Sequence, residues 1–158
     1  SRRVITLMSP NKAFNFPSAG CAFAVIENPA LRKRFAADVD LHVMPSAGVF
    51  GYIAALAAYR HGEPWLQAQI EYLRGNRDIV QAFFGKALAH IEATYLAWID
   101  CSDTPDALQR FLTAGVALSP GAQFGDARFV RLNFGTQRAV LKEALNRIKN
   151  ASTPSPRG

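Results

Sequence analysis

The chain has only two cysteines, Cys21 and Cys101, with no C-x-x-C pair and no cysteine–histidine pair at metal-ligand spacing. A disulfide scaffold and a zinc site are therefore excluded as organising features, and both side chains are expected as buried free thiols. No apolar run approaches the ~18 uninterrupted residues of a membrane span, and no basic-then-apolar leader opens the chain, so the expected location is the cytoplasm. There is no basic stripe either. The net charge is +6 at pH 7, but the longest cluster, Arg32-Lys33-Arg34, lies in a predicted helix where a solvated outer face is the ordinary explanation. Neither nucleic acid nor membrane is expected as a partner. An anionic small ligand, or an acidic portion missing from a larger protein, accounts for the same excess. Internal repeats are absent. Against these absences, 158 residues with 49% hydrophobic and 19% charged side chains can bury a real core in one domain or slightly more.

The stretch Ser9 to Gly20 places a lone lysine, Lys12, directly after the apolar, β-branched run Val4 to Met8. That run has the pattern of a buried strand whose carboxyl end opens into a crevice. An amine at such a rim, flanked by Phe14 and Phe16, is expected to lose hydration, which favours the neutral form that attacks a carbonyl. Lys12 is thus a candidate Schiff-base nucleophile, the alternative being a solvated loop lysine.

Further along, Gly20 to Ile26 reads as a second buried strand, and Asn28-Pro29 supplies an N-cap and an N1 proline for a helix to about Val39. Residues 41–46 read as a loop. Helical spacing from Ala47 ends at His61-Gly62, and Glu63-Pro64 opens a long helix carrying apolar residues as far as Leu88, roughly 40 Å at about 1.5 Å per residue. Its length suggests a connector between two lobes. Beyond it, Tyr95 to Ile99 reads as a strand, Thr104-Pro105-Asp106 as a helix cap, Gly115 to Leu118 as a short strand, and Ser119-Pro120-Gly121 as a turn. Phe129 to Phe134 alternates as a strand, and Gly135-Thr136 begins a last helix. These elements make a small α+β lobe. The Pro/Ser-rich tail, 150–158, is expected to be disordered.

Arg131 stands among apolar neighbours in its strand. A guanidinium so placed usually binds a carboxylate, bidentately, from a substrate or from a structural aspartate. Ser9-Pro10-Asn11-Lys12 also fits the S-x-x-K of serine β-lactamases, but the K-T-G those enzymes need is absent.

Four ordered blocks carry a more specific likeness: Ser9-x-x-Lys12-x-Phe14-Asn15, the text from Ala57 to Leu66, Thr94 to Asp100, and Ser119-Pro120-Gly121-x-x-Phe124-Gly125 followed by Phe129 to Gly135. Together they resemble the carboxyl-terminal half of a fold-type I pyridoxal-phosphate enzyme of the class I/II aminotransferase family. Within it the chain is most similar to cystathionine β-lyases of the MalY/PatB kind, over residues 1 to about 149. The resemblance implies an α/β fold, the carboxyl-terminal part of fold type I. Residues 1–62 would end the large cofactor-binding domain, 63–91 form the connecting helix and 92–149 the small α+β domain.

By the same resemblance, Lys12 matches the lysine that forms the internal aldimine with pyridoxal 5'-phosphate and then removes the substrate Cα proton. Ser9 matches a hydroxyl that bonds the cofactor phosphate, and Arg131 the arginine that grips the substrate α-carboxylate. Ser46-Ala47-Gly48 falls where relatives reach the neighbouring subunit's phosphate, which implies a homodimer. The chain departs from many relatives at Asn11, where they have Ser or Thr, and at Gly20, where they have a phosphate-binding arginine. The implied activity is a C–S β-lyase on cystathionine-like amino acids, with an aminotransferase or a non-catalytic fragment as alternatives. The ring-stacking aromatic, the aspartate for the pyridine nitrogen and the glycine-rich phosphate turn belong to the family's amino-terminal half. Without that half the chain is expected to bind cofactor poorly and to be inactive alone.

Overall fold

A computed structural model describes residues 3–39 and 47–152. The chain divides into two compact units, Ser1–Gln69 and Ile70–Gly158. The first holds strands β1 (Thr6–Met8) and β2 (Phe23–Val25) and helices α1 (Pro29–Asp38) and α2 (Val49–His61). Helix α3 (Glu63–Phe84) carries the division between units. The second unit continues with β3 (Leu96–Asp100), α4 (Ala107–Thr113), β4 (Ser119–Pro120), β5 (Phe129–Asn133) and α5 (Arg138–Ser152). No helix among the described residues is long and apolar enough to cross a membrane.

In the first unit β1 and β2 pair antiparallel, Leu7 opposite Ala24. Both strands were expected to be buried, and both are exposed, with Leu7 at 69%. Apolar β-branched letters specify a strand but not a covering layer, and a two-stranded ribbon supplies none. The cap signals are obeyed: Asn28 Oδ1 accepts from the amides of Ala30 and Leu31, with Pro29 at N1. Gly62 closes α2, its amide donating to the Ala58 carbonyl. Much of α2 is apolar and uncovered, including Phe50, Tyr52, Ile53 and Leu56.

Helix α3 is shorter than its apolar spacing suggests. It ends at Phe84 after 22 residues, about 33 Å, because Gly85 takes a left-handed φ of 55°. Leu88, expected on that helix, instead bridges to Ile99 of β3. The second sheet has order β3-β5-β4, antiparallel throughout, with Trp98 opposite Arg131. Ala97, Ile99, Val130 and Leu132 face the core with Val80, Phe111, Phe134, Leu141, Leu145 and Ile148. The alternate residues, Trp98, Phe129 and Arg131, take the opposite face. The strand expected over Gly115 to Leu118 is displaced to Ser119–Pro120, since the partner β5 decides where pairing occurs. The last helix begins at Arg138 and continues to Ser152, so residues 150–152, expected in a disordered tail, are helical; 153–158 lie outside the described residues. Both cysteines are free, Cys21 buried and Cys101 half-buried, where burial pushes its thiol pKa up.

One side chain ties α3 to the end of β5. Asn76, fully buried, donates from Nδ2 to the carbonyls of Phe134 at 3.0 Å and Thr136 at 2.9 Å, while its Oδ1 accepts from Arg138 Nε at 3.0 Å. The Arg138 guanidinium lies 4.5 Å from the Tyr72 ring centroid and donates to the Tyr72 carbonyl; its backbone amide donates to the Tyr72 hydroxyl. Asn76→Ala strands these groups, each costing about 1–3 kcal/mol when buried without a partner. We expect a loss of more than about 2 kcal/mol, read as the shift of the urea midpoint at constant slope. A change within about 0.5 kcal/mol, as at ordinary surface positions, would deny Asn76 this role.

Candidate active site

After β1 the chain turns sharply. The Phe14 amide donates to the Pro10 carbonyl at 2.9 Å and that of Phe16 to the Asn11 carbonyl at 3.0 Å, around a fully buried Pro10. Lys12 stands on this turn with its side chain exposed. The expected desolvation by Phe14 and Phe16 is not realised, because Phe14 turns to other partners. Its ring centroid lies 6.0 Å from Tyr59, 6.4 Å from Trp65 and 6.5 Å from Phe16.

Two glycines of the α2 segment let the turn approach. A Cβ on Gly62 would sit 2.6 Å from the Phe14 ring, and one on Gly51 would sit 2.3 Å from the Ala19 carbonyl oxygen. Backbone atoms cannot give way as a side chain can, so residue 51 is restricted to glycine. Beside Lys12, the Asn11 Oδ1 is buried and has no hydrogen-bond partner among the described residues. Of the loop expected at Ser46-Ala47-Gly48, Ser46 lies outside the described residues, and Gly48 is the N-cap of α2.

Ser9 spans the base of the turn. Its hydroxyl donates to the Cys21 carbonyl at 2.8 Å and accepts from the Asn11 amide at 3.4 Å. A phosphate dianion only accepts, so Ser9 could serve one only by turning its proton away from Cys21. An aldehyde needs a reachable primary amine, and Lys12 offers one. The residues present therefore fit a carbonyl cofactor at Lys12 directly, and its phosphate at Ser9 only after that exchange.

In the second unit, Arg131 is half-buried on the outer face of β5. Its Nη2 donates weakly to Ser119 Oγ at 3.4 Å, and its Cζ lies 4.1 Å from the Phe124 ring centroid. Trp98 meets Phe124 edge-on at 6.0 Å and stacks on Phe129 at 5.1 Å with 5° between planes. Arg128, on the same stretch of chain, is neutralised. Its Nη2 lies 2.6 Å from Asp126 Oδ2, and these hydrogen bonds lower the Asp126 pKa to about 2. Arg131 has no carboxylate within ion-pair distance among the described residues. The structural aspartate that could have satisfied it is therefore not found there.

Lys12 and Ser9 belong to one unit and Arg131 to the other. The sequence motifs contained Phe124 and Trp98 without assigning them roles. The available signal was an aromatic residue in each of two separate motifs, the second of which also holds the arginine: Trp98 on the strand opposite Arg131, and Phe124 on the turn before β5.

The fold matches the crystal structure of OvoB with a TM-score of 0.89 at 44% identity, over 98% of this chain and 42% of that one. It matches the PLP-bound C-S lyase of Staphylococcus hominis with a TM-score of 0.82 at 31% identity, over 99% of this chain and 44% of that one. The chain has the fold of the carboxyl-terminal part of fold-type I pyridoxal-phosphate enzymes. Its fold-type I sequence is also 32% identical over 159 residues to cystathionine beta-lyase PatB of Bacillus subtilis, which covers 93% of this chain and 41% of PatB. The fold-type I segment here thus spans about two fifths of the length of its curated relatives, corresponding to their carboxyl-terminal part as the ordered motifs imply. No family model matches the chain.

Proposed function

We propose that this chain supplies the carboxyl-terminal part of a pyridoxal-phosphate-dependent C–S β-lyase acting on cystathionine-like amino acids. The observation that carries the proposal is the contrast between Arg128, just before β5 and neutralised by Asp126, and Arg131, half-buried on β5 with no carboxylate in ion-pair distance among the described residues. A guanidinium in that state is built to receive one from outside. When bound, the cofactor supplies the electron sink that makes loss of a Cα proton feasible. Lys12 would hold the cofactor through its Nζ and, as a neutral amine, would take the Cα proton of a bound amino acid. Arg131 fixes the α-carboxylate so that the Cα–H bond keeps its reactive orientation. Ser9 would donate to the phosphate once its hydroxyl turned from the Cys21 carbonyl. The working enzyme in this proposal is a cytoplasmic homodimer completed by an amino-terminal part.

The reaction consumes water and cystathionine and releases a thiol, ammonia and pyruvate in equal amounts. Incubating the protein that carries this chain with pyridoxal phosphate and L-cystathionine, then assaying thiol and pyruvate together, is expected to give that equality. A 2-oxo acid formed from an amino donor without thiol release would instead indicate an aminotransferase. Neither product would indicate a non-catalytic protein.

A further inference from the structure

Arg131 has the chemistry to bind a carboxylate, but an arginine side chain has many rotamers, and something must hold its donors in one place. Three features converge on Phe124. Its ring lies beneath the guanidinium, 4.1 Å from Cζ to centroid. The ring is fixed in turn: it ends the short helical turn Gly121–Phe124, closed by Gly125 at φ 99°, and Trp98 meets it edge-on at 6.0 Å. The turn is packed directly on neighbouring backbone, since a Cβ on Gly121 would lie 2.3 Å from the carbonyl oxygens of both Asp126 and Phe129. Finally, Phe124 is 48% exposed, so the ring is not there to fill the core.

We propose that Phe124, braced by Trp98, is a positioning residue that presents the Arg131 guanidinium to an incoming carboxylate. The proposal rests on the reading of Arg131 as a carboxylate receptor. The ring attracts the cation to its face, and the guanidinium's N–H donors lie in its own plane. A cation held by its face keeps those edges free; one edge touches Ser119 Oγ, and the remaining donors stay available to a bidentate acceptor. Attraction by an aromatic face and hydrogen bonding by the edges do not compete. An aspartate in the place of Phe124 would consume the donors it was meant to position.

The test uses the side-chain Nε–Hε NMR signal of Arg131 in the chain, assigned by its disappearance in Arg131→Lys, with acetate as the carboxylate probe. In the wild type the signal is expected to carry the ring-current shift of a nearby aromatic face and to move on addition of acetate. Phe124→Leu keeps an apolar side chain but no ring. It is expected to abolish the ring-current shift and weaken the acetate response about fivefold to tenfold, while Phe124→Tyr restores both. The melting temperature of both variants should stay near wild type, because the residue does not line the core.

The outcomes separate cleanly. If the wild-type signal ignores acetate, the carboxylate role of Arg131 fails and this inference fails with it. If acetate moves the signal equally in wild type and Phe124→Leu, Arg131 keeps its role and the positioning role of Phe124 is overturned. If Phe124→Tyr behaves like Phe124→Leu, ring attraction is not what holds the guanidinium, and the proposal is again overturned.

Discussion

Lys12→Ala is expected to abolish the visible absorption band that wild-type protein gains with pyridoxal phosphate, and borohydride reduction should fix the cofactor on residue 12 only in the wild type. The chain has five lysines, so a band alone is weak evidence. Lys33, Lys142 and Lys149 stand on helices and Lys86 on a helical turn, where condensation would be adventitious. Lys12 is distinguished by its setting on a turn anchored at both ends. Pro10 is buried on one side, Phe14 is packed against Tyr59 and Trp65 on the other, and Ser9 is tied across to Cys21. An anchored turn fixes the place from which the exposed Lys12 amine reaches out. Lys12→Arg is the sharper control. It keeps the positive charge but cannot condense, so it should lose the band as completely as alanine does. Equal bands and equal labelling of another lysine in all three proteins would sink the assignment.

The second large effect is expected at Arg131. In the active protein, Arg131→Ala should raise KM for an α-amino acid about 30-fold or more, since removing one partner of a hydrogen-bonded charge pair costs about 2–5 kcal/mol. The same change should leave KM for an amine lacking the α-carboxylate within about threefold, because that substrate never used the guanidinium. Steady-state kinetics with the two substrates side by side decide it. A similar rise for both would mean that the mutation merely loosened the face of β5 and that the carboxylate is held elsewhere.

Where backbone chemistry is local, the sequence was a sufficient guide. Asn28-Pro29 and Gly62-Glu63-Pro64 mark helix ends because a cap side chain, a missing amide or a backbone stop acts within a few residues. The strand around Arg131 was equally legible, since alternation across a half-covered sheet writes itself into the letters. What escaped depends on distant partners. Leu88 continues the apolar spacing of α3, and only its pairing with Ile99 reveals that Gly85 has already ended the helix. The edge strand sits at Ser119–Pro120 rather than among the preceding apolar residues because β5 selects it. The same limit applies to side chains. Lys12 and Arg131 announce themselves by charge in apolar surroundings. Asn76 looks like any polar residue of a long helix, and Phe124 like any loop aromatic, until the fold brings 58 residues of separation to 3.0 Å in the one case and a cation to 4.1 Å in the other.

The bare rings along α2 set the terms on which the first unit lives in water. Phe50 is 84% exposed and Ile53 59%, on a helix with a neighbouring ribbon that is equally uncovered. Each square ångström of such surface removed from solvent contributes about 25 cal/mol, so an apolar surface that lies against it is attracted. The practical corollary runs opposite to the one the net charge of +6 suggests. Solubility should be governed by this greasy helix: salts that sharpen hydrophobic association, such as sulfate, should bring the chain out of solution sooner than chloride at matched ionic strength.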